Sequence, residues 1–116
     1  MGIFIEAIVR GEEEAKASML ANSGSDLVVL TKDLAEKVKP KSTGLKIEMI
    51  KVGGERENHE LFEIEVEVED PETKERRKEK VHAIISEHQD VPLLGYEAME
   101  KLGILLDIKR GKYRLI

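Results

Sequence analysis

The sequence predicts an all-β fold with one or two short helices. Its apolar residues recur mostly with a period of two, which puts alternate side chains of a strand on the same face. Turn residues, mainly glycine, separate these stretches, and the helix-like segments are each only about two turns long. Since 116 residues can bury one modest core, we expect a single domain over residues 1–116.

The first part of the chain is predicted to form a hairpin, then a buried strand, then a helix. The stretches 3–9 and 15–21 flank the turn sequence RGEE and are typical of paired strands. The apolar run at 26–30 suits a buried strand. Thr31 is expected to cap the helix KDLAEKV, because its hydroxyl can accept a hydrogen bond from the first turn, and the helix stops before Pro40.

The middle of the chain predicts two further strands, each followed by a turn. A strand over 44–52 ends in the Gly53–Gly54 pair, which frees the backbone for a tight or mobile turn. Residues 62–69 then alternate apolar side chains with glutamates, as in a strand with one face in water. If Asp70–Thr73 form the next loop, each glutamate faces a cation, in the pairs Glu69–Lys74, Glu67–Arg76, Glu65–Lys78 and Glu63–Lys80.

The same register sets Phe62 opposite Val81 but places charged residues opposite Ile64 and Val66. We therefore expect the outer half of this hairpin to project past the core. Exposed cross-strand ion pairs contribute only tenths of a kcal/mol up to about 1 kcal/mol each, so we interpret the charged ladder as structural.

The last part of the chain predicts four strands and a second helix. The strands are expected at 81–86, 91–94, 104–108 and 112–116. Between the second and third of them, YEAMEKL has the composition of a short helix that Gly103 ends.

Charge and hydropathy argue against two classes of partner. The chain has 24 acidic and 19 basic residues, a net charge of -5, so nothing in its composition indicates the positive surface that nucleic-acid binding needs. No apolar run approaches the ~18 to 20 residues of a membrane span. The beginning of the sequence has neither a basic leader nor a cleavage site, and we expect a cytoplasmic protein.

The residue types also limit the chemistry. Without cysteine there is no disulfide, thiolate ligand or cysteine nucleophile. His59, His82 and His88 have no metal-ligand spacing, so we expect no metal and no cofactor. A serine triad is disfavoured, because neither Ser23 nor Ser25 lies in a nucleophile elbow. The chain is rich in Glu and Lys but has only three Asn and Gln residues, a profile associated with proteins of high-temperature organisms.

Two motifs resemble those of retropepsin-like aspartic proteases. The first is MLANSGSDLVVL at 19–30, where the family has two apolar residues, then Asp-Thr/Ser-Gly, then a short apolar strand. The second is LLGYEAMEKLGILLD at 93–107, where the family has an apolar pair, glycine, a helix and Leu-Gly-Ile. An isolated Asn-Ser-Gly is a common turn, but the two motifs together, in the family's order, are specific.

The resemblance implies a closed β-barrel of the acid-protease type that acts as a homodimer on a peptide or protein substrate. Each copy would contribute one catalytic loop, and the apolar ends of the chain are candidates for the interface. The segment Lys51–Glu55 resembles the mobile flap tip, although the flap could instead lie toward Asn58. Residues implied to contact substrate are Ser25, Asp26, Val52, Gly53, Gly54, Leu94 and Gly95.

Asn22 departs from the family pattern at its most important position. The resemblance puts Asn22 at the catalytic aspartate, Ser23 at the hydroxyl that ties the two loops together and Gly24 at the point of close approach. A carboxamide has nearly the shape of a carboxylic acid but neither ionises nor shuttles a proton, so the chain as written is expected to be inactive. Two explanations stay open: a deliberate Asp-to-Asn change, or a natural peptide-binding or dimerisation module that never had the acid.

Overall fold

The elements of the fold follow the predicted order. The computed structural model describes residues 2–116, so Met1, the first residue of the predicted domain, lies outside the described residues. The prediction of a β fold with two short helices is confirmed. The elements are β1 Phe4–Arg10, β2 Glu14–Ala21, β3 Val28–Thr31, α1 Lys32–Val38, β4 Lys41–Ile50, β5 Arg56–Glu69, β6 Arg76–Ser86, β7 Leu93–Leu94, α2 Tyr96–Leu102, β8 Ile104–Asp107 and β9 Lys112–Leu115.

Six strands close into a ring. Their order is β1-β2-β7-β3-β6-β5, and β5 pairs back onto β1 to complete the circle. The strand β5 is 14 residues long, and its two halves have different neighbours on one side. Its first half pairs with β4, as far as Lys41 opposite Glu63, and its second half pairs with β1, from Glu65 opposite Arg10. The predicted closed barrel is confirmed, and β4 extends from it as the outer strand of a hairpin.

Alternation along the strands fills the barrel with aliphatic side chains. One face of β1, β5 and β6 points inward, the short strand β3 adds three consecutive buried residues, and β7 adds Leu94. Full burial of one such side chain stabilises the fold by roughly 1.5 to 3 kcal/mol. The largest fully buried side chains include Ile5, Met19, Leu30, Leu94 and Leu102.

Local capping explains both helices. The Thr31 hydroxyl accepts a hydrogen bond from Leu34 N at 3.2 Å, and Lys39 adopts a left-handed conformation just before Pro40. Gly103 ends α2 with φ of 70°, a conformation that glycine adopts without steric cost. Both predicted helices are confirmed with these boundaries.

The predicted register of the β5–β6 hairpin is wrong by two residues. The turn spans 70–75, because Asp70 Oδ1 accepts hydrogen bonds from the backbone of Glu72 and Thr73, and Asp70 N donates to Glu75 O at 2.8 Å. A two-residue shift keeps every side chain on its face, so glutamates still face cations or a histidine. The observed pairs are Glu69–Arg76, Glu67–Lys78, Glu65–Lys80 and Glu63–His82.

The prediction that this hairpin projects past the core is also wrong. Val66 and Val68 are buried, because β1 pairs with this half of β5 and brings its own apolar face against it. On the outer face, Arg10 of β1 forms ion pairs with Glu65 and Glu67 at 3.0 Å and 2.8 Å. Glu67 therefore binds Arg10 of β1 as well as Arg76 of β6.

Several strand boundaries differ from those predicted. The strand β7 has only two residues, because the turn before it extends to Pro92, and β3 begins at Val28 rather than at Asp26. The strand β4 begins at Lys41 rather than at Gly44, with a bulge between Ser42 and Lys46 that accommodates the extra residues.

The C-terminal hairpin β8–β9 is attached to the barrel through polar contacts. Asp70 Oδ2 accepts a hydrogen bond from Leu115 N at 2.9 Å, and the Tyr113 hydroxyl donates to Glu69 O at 2.8 Å. Arg77 donates from Nη1 to the carbonyl oxygens of Leu102 and Ile116. The β5–β6 hairpin thus fixes the position of β8–β9, although the two belong to different sheets.

We expect stability in acid to depend on Asp70. Backbone hydrogen bonds from Leu115, Thr73 and Glu72 lower the pKa of Asp70 to about 2. Its contribution is complete above the unfolded-state pKa of about 3.9 and is lost as the pH falls toward 2. Between these pH values the urea midpoint of Asp70→Asn should fall less steeply than that of the unmodified chain.

The matched control is Asp90→Asn, which removes an exposed carboxylate from a loop. Its urea midpoint should follow the pH profile of the unmodified chain. If the urea midpoints of the unmodified chain and Asp70→Asn changed with pH in parallel, Asp70 would not be the source of the acid sensitivity.

Candidate functional site

The loop that carries the first motif leaves the barrel where two parallel strands end. We call residues 22–27 the site loop; it follows β2 and precedes β3. Leu20 and Ala21 of β2 pair with Leu93 and Leu94 of β7, so both strands end at the same edge. Asn22 N continues the pairing by donating to Leu94 O at 3.0 Å. The two sequence motifs are therefore hydrogen-bonded to each other at residue 22.

Asn22 forms a compact turn within the site loop. Its Oδ1 accepts a hydrogen bond from Gly24 N at 2.9 Å, and its carbonyl oxygen accepts one from Ser25 N at 3.1 Å. The Asn22 side chain is half-buried, whereas Ser23 and Gly24 are exposed. Ser25 points back into the loop, since its hydroxyl donates to Leu27 O at 2.8 Å. The predicted catalytic-position residues thus lie together at an accessible surface.

The beginning of α2 holds the other side of the site loop. Tyr96 N donates to Ser25 O at 2.7 Å, and Glu97 N donates to Asp26 O at 3.0 Å. These are amide groups of the first helical turn, which have no partner inside their own helix. Asp26 therefore contacts α2 through its backbone, while its side chain is exposed.

Gly95 is needed because the site loop passes directly over it. A Cβ atom at this position would lie 2.6 Å from Ser25 O and would also overlap the carbonyl group of Leu27. Gly95 and its neighbour Leu94 are both buried. The second motif thus supplies a surface without a side chain, against which the first motif packs.

Glu97 joins α2 to the barrel, and it was not among the predicted site residues. Its Oε1 accepts a hydrogen bond from His82 N at 2.7 Å, and its Oε2 lies 3.1 Å from His82 Nδ1. Burial opposes ionisation of this carboxyl, but the contacts with His82 outweigh burial and lower the pKa of Glu97. The only signal in the sequence is an acidic residue in the first turn of a helix.

The hairpin β4–β5 has its tip at Lys51–Glu55. Lys51 N donates to Glu55 O at 2.7 Å, and Gly53 and Gly54 have φ values of 104° and 88°. The alternative tip at Asn58 is wrong, because Asn58 lies within β5 opposite Glu48. Val52, Gly53 and Gly54 are exposed, and within residues 2–116 no hydrogen bond joins this tip to the site loop.

Three polar side chains are linked near this tip. Lys51 Nζ lies 2.5 Å from Glu57 Oε2, and His59 Nε2 lies 3.0 Å from Glu57 Oε1. Hydrogen bonding to Lys51, and then to His59, lowers the pKa of Glu57, and the same bond raises the pKa of Lys51. The cluster connects the turn to β5.

Apolar side chains surround the exposed part of the site loop. A cleft of ≈ 590 Å³ is lined by Asn22, Ser23 and the N-terminal residues, and by the turn between β8 and β9. A smaller groove of ≈ 270 Å³ lies on the other side of Ser23, against α2. We call the accessible apolar residues around the loop the loop face; they are Ile3, Tyr96, Ile104, Leu106 and Ile108.

Neither a metal centre nor a membrane helix is found in the part of the chain that is described. Within residues 2–116 no three His, Asp or Glu side chains are grouped so that they could hold a metal ion. No helix in this range is long and apolar enough to cross a bilayer.

Comparisons of sequence and of structure give different results. No protein-family profile and no curated protein matches the sequence significantly. The fold is similar to that of EIAV protease complexed with the inhibitor HBY-793, with 22% identity, a TM-score of 0.60 and coverage of 93% of this chain and 94% of the other.

Two other solved structures are similar over most of this chain. A retropepsin-like aspartic protease from Rickettsia conorii is 19% identical, with a TM-score of 0.57 and coverage of 90% of this chain and 74% of the other. The retroviral protease-like domain of Ddi1 from Leishmania major is 10% identical, with a TM-score of 0.58 and coverage of 99% and 88%. At these identities the similarity shows the fold alone.

We expect Gly95→Ala to destabilise the protein by about 2 kcal/mol, as is typical when a side chain is forced into a packed site. The added methyl would displace the site loop from α2, so the urea midpoint should fall. The control is Gly24→Ala in the same loop, whose Cβ would approach only Asn22 Oδ1, at 3.1 Å. Equal stability of Gly95→Ala and the unmodified chain would show that the loop does not need this close approach.

Proposed function

We propose that this chain, which has the retropepsin-like fold, is one half of an aspartic endopeptidase site that a second copy completes. Residues 1–116 would act as one domain, and the two copies of residue 22 would meet at a two-fold axis. With aspartate at position 22 the pair would hydrolyse peptide bonds. The chain as written would bind an extended peptide without cutting it.

The observation that carries this proposal is the fixed position of Asn22 beside an open cleft. Its backbone is hydrogen-bonded to Leu94, its side chain to Gly24, and the cleft begins at its exposed side. Two carboxyl groups facing each other there could not both ionise, so they would share a proton. One half would take a proton from water while the other protonates the substrate.

The need for a second copy follows from the number of site loops. The chain contains one such loop, so a pair of acids requires two chains related by symmetry. The loop face supports this arrangement, because Ile108 and Tyr96 are 81% and 54% exposed beside the site loop. Apolar residues grouped around a cleft are typical of an interaction surface.

The substrate would lie between the site loop and the β4–β5 hairpin. An extended peptide is recognised mainly through backbone hydrogen bonds, which an exposed strand and glycine-rich turn can supply. Val52, Gly53 and Gly54 would cover the peptide, and Ser25 and Asp26 would line its path. Leu94 and Gly95 would support the floor beneath it.

A second candidate function is a peptide-binding or dimerisation module without catalysis. The observation that favours it is Asn22 itself, whose amide neither donates nor accepts a proton as an acid or base would. In this function the loop face and the cleft serve binding alone.

Restoring the acid tests the two functions against each other. We expect Asn22→Asp to cleave a mixed peptide library at acidic pH. Its cleavage rate should exceed that of the unmodified chain by about 10²- to 10⁴-fold, the usual effect of a general acid or base. The control is Asn22→Ala, which should stay inactive. Peptide binding without cleavage in all three proteins would favour the binding module.

Disruption of the loop face tests the shared site. We expect the unmodified chain to be a dimer at micromolar concentration by analytical ultracentrifugation, and Ile108→Asp to shift it toward monomer. The matched control is Ile50→Asp, because Ile50 is also exposed, at 68%, but lies on β4. A monomeric unmodified chain, or equal effects of the two substitutions, would count against the proposal.

A further inference from the structure

We propose that Asn22 is a self-modification site, at which deamidation through the Ser23 backbone supplies the carboxyl group that the asparagine lacks. The modification itself depends only on the geometry of the site loop. Its consequence for activity rests on the proposed function.

The sequence around Asn22 favours deamidation more than that around the other asparagine. The reaction needs the next backbone nitrogen to approach the side-chain carbonyl, and small following residues permit this approach. Asn22 is followed by Ser23 and Gly24 in a turn, whereas Asn58 is followed by His59 within a paired strand. Asn22 is thus a thermolabile residue in an accessible loop of a chain that has few amide side chains.

The hydrogen bonds of the site loop leave the attacking nitrogen free and polarise the side-chain carbonyl group that it attacks. Within residues 2–116 the structure gives Ser23 N no hydrogen-bond acceptor, so this nitrogen is available as the nucleophile. Gly24 N donates to Asn22 Oδ1 at 2.9 Å. That donor withdraws electron density from Cγ and would stabilise the oxyanion that forms when Cγ is attacked.

The chemistry needs only water. Ser23 N loses its proton to solvent and forms a bond to Asn22 Cγ, and the bond from Cγ to the side-chain nitrogen breaks, which releases ammonia and leaves a cyclic succinimide. Water then adds to one ring carbonyl. Attack at Cγ reopens the ring to a normal aspartate, and attack at the main-chain carbonyl gives isoaspartate.

Only the normal aspartate places a carboxyl group where the proposed site needs it. Isoaspartate lengthens the backbone by one carbon and would misalign the turn that Asn22 now forms. Because a working site needs an acid from both copies, activity should rise with the square of the aspartate fraction. A slow, curved appearance of peptidase activity would distinguish this process from a trace contaminant, whose activity is present from the start.

The experiment follows the purified chain during incubation at elevated temperature and mildly alkaline pH. Peptide mass spectrometry, with fragmentation that separates aspartate from isoaspartate, quantifies conversion at positions 22 and 58. We expect several-fold faster conversion at Asn22 than at Asn58. Ser23→Val, whose branched side chain hinders approach of the nitrogen, should slow conversion at Asn22 several-fold and leave Asn58 unchanged. Absence of conversion at Asn22, or isoaspartate as its only product, would overturn the proposal.

The activity assay separates failure of this proposal from failure of the proposed function. Cleavage that grows with aspartate at position 22, and that is absent from Asn22→Gln after the same incubation, supports both. Conversion to aspartate without cleavage, with Asn22→Asp also inactive, supports the modification and overturns the proposed function. Active Asn22→Asp together with an unmodified chain that never converts overturns the modification alone.

Discussion

The site depends on the hydrogen bonds that fasten the site loop to a single segment, residues 94–97, which is distant from the loop in sequence. Asn22 N binds Leu94 O on one side, and Ser25 O accepts from Tyr96 N on the other. A side chain at Gly95 would overlap Ser25 O and the carbonyl group of Leu27, so the contact between the site loop and Tyr96 depends on this glycine. The barrel and α2 therefore serve the loop as a rigid frame, and the accessible chemistry of residues 22–24 is a consequence of how firmly the loop is held.

Much of this arrangement could be predicted from the sequence, because its signals are local. Thr31 and Gly103 mark helix ends by their own side-chain chemistry, and both helices were predicted with the observed boundaries. The two motifs were identified from their residue types and their order, and the structure brings Asn22 of the first and Leu94 of the second into hydrogen-bond contact. Residue type and spacing were sufficient for these features.

Other features depend on contacts that spacing does not encode. A two-residue shift of β6 leaves the alternation of its side chains intact, so the apolar pattern could not reveal the wider turn that Asp70 begins. It also could not reveal that Asp70 binds Leu115, which is 45 residues away. Glu97 was missed for a similar reason, since its partner His82 is brought close only by the packing of α2 on β6. The error about Val66 arose because alternation shows which face is apolar and does not show which strand covers it.

The two neighbours of β5 have a mechanical consequence. The inner half of this strand is clamped between β1 and β6, while the outer half pairs with β4 and ends in a glycine turn. The hairpin is thus anchored in the barrel at one end, and its free end can bend with little loss of core packing. Protection from hydrogen exchange should decline steadily from the anchored end to the free end, and warming would loosen the free end long before the barrel melts.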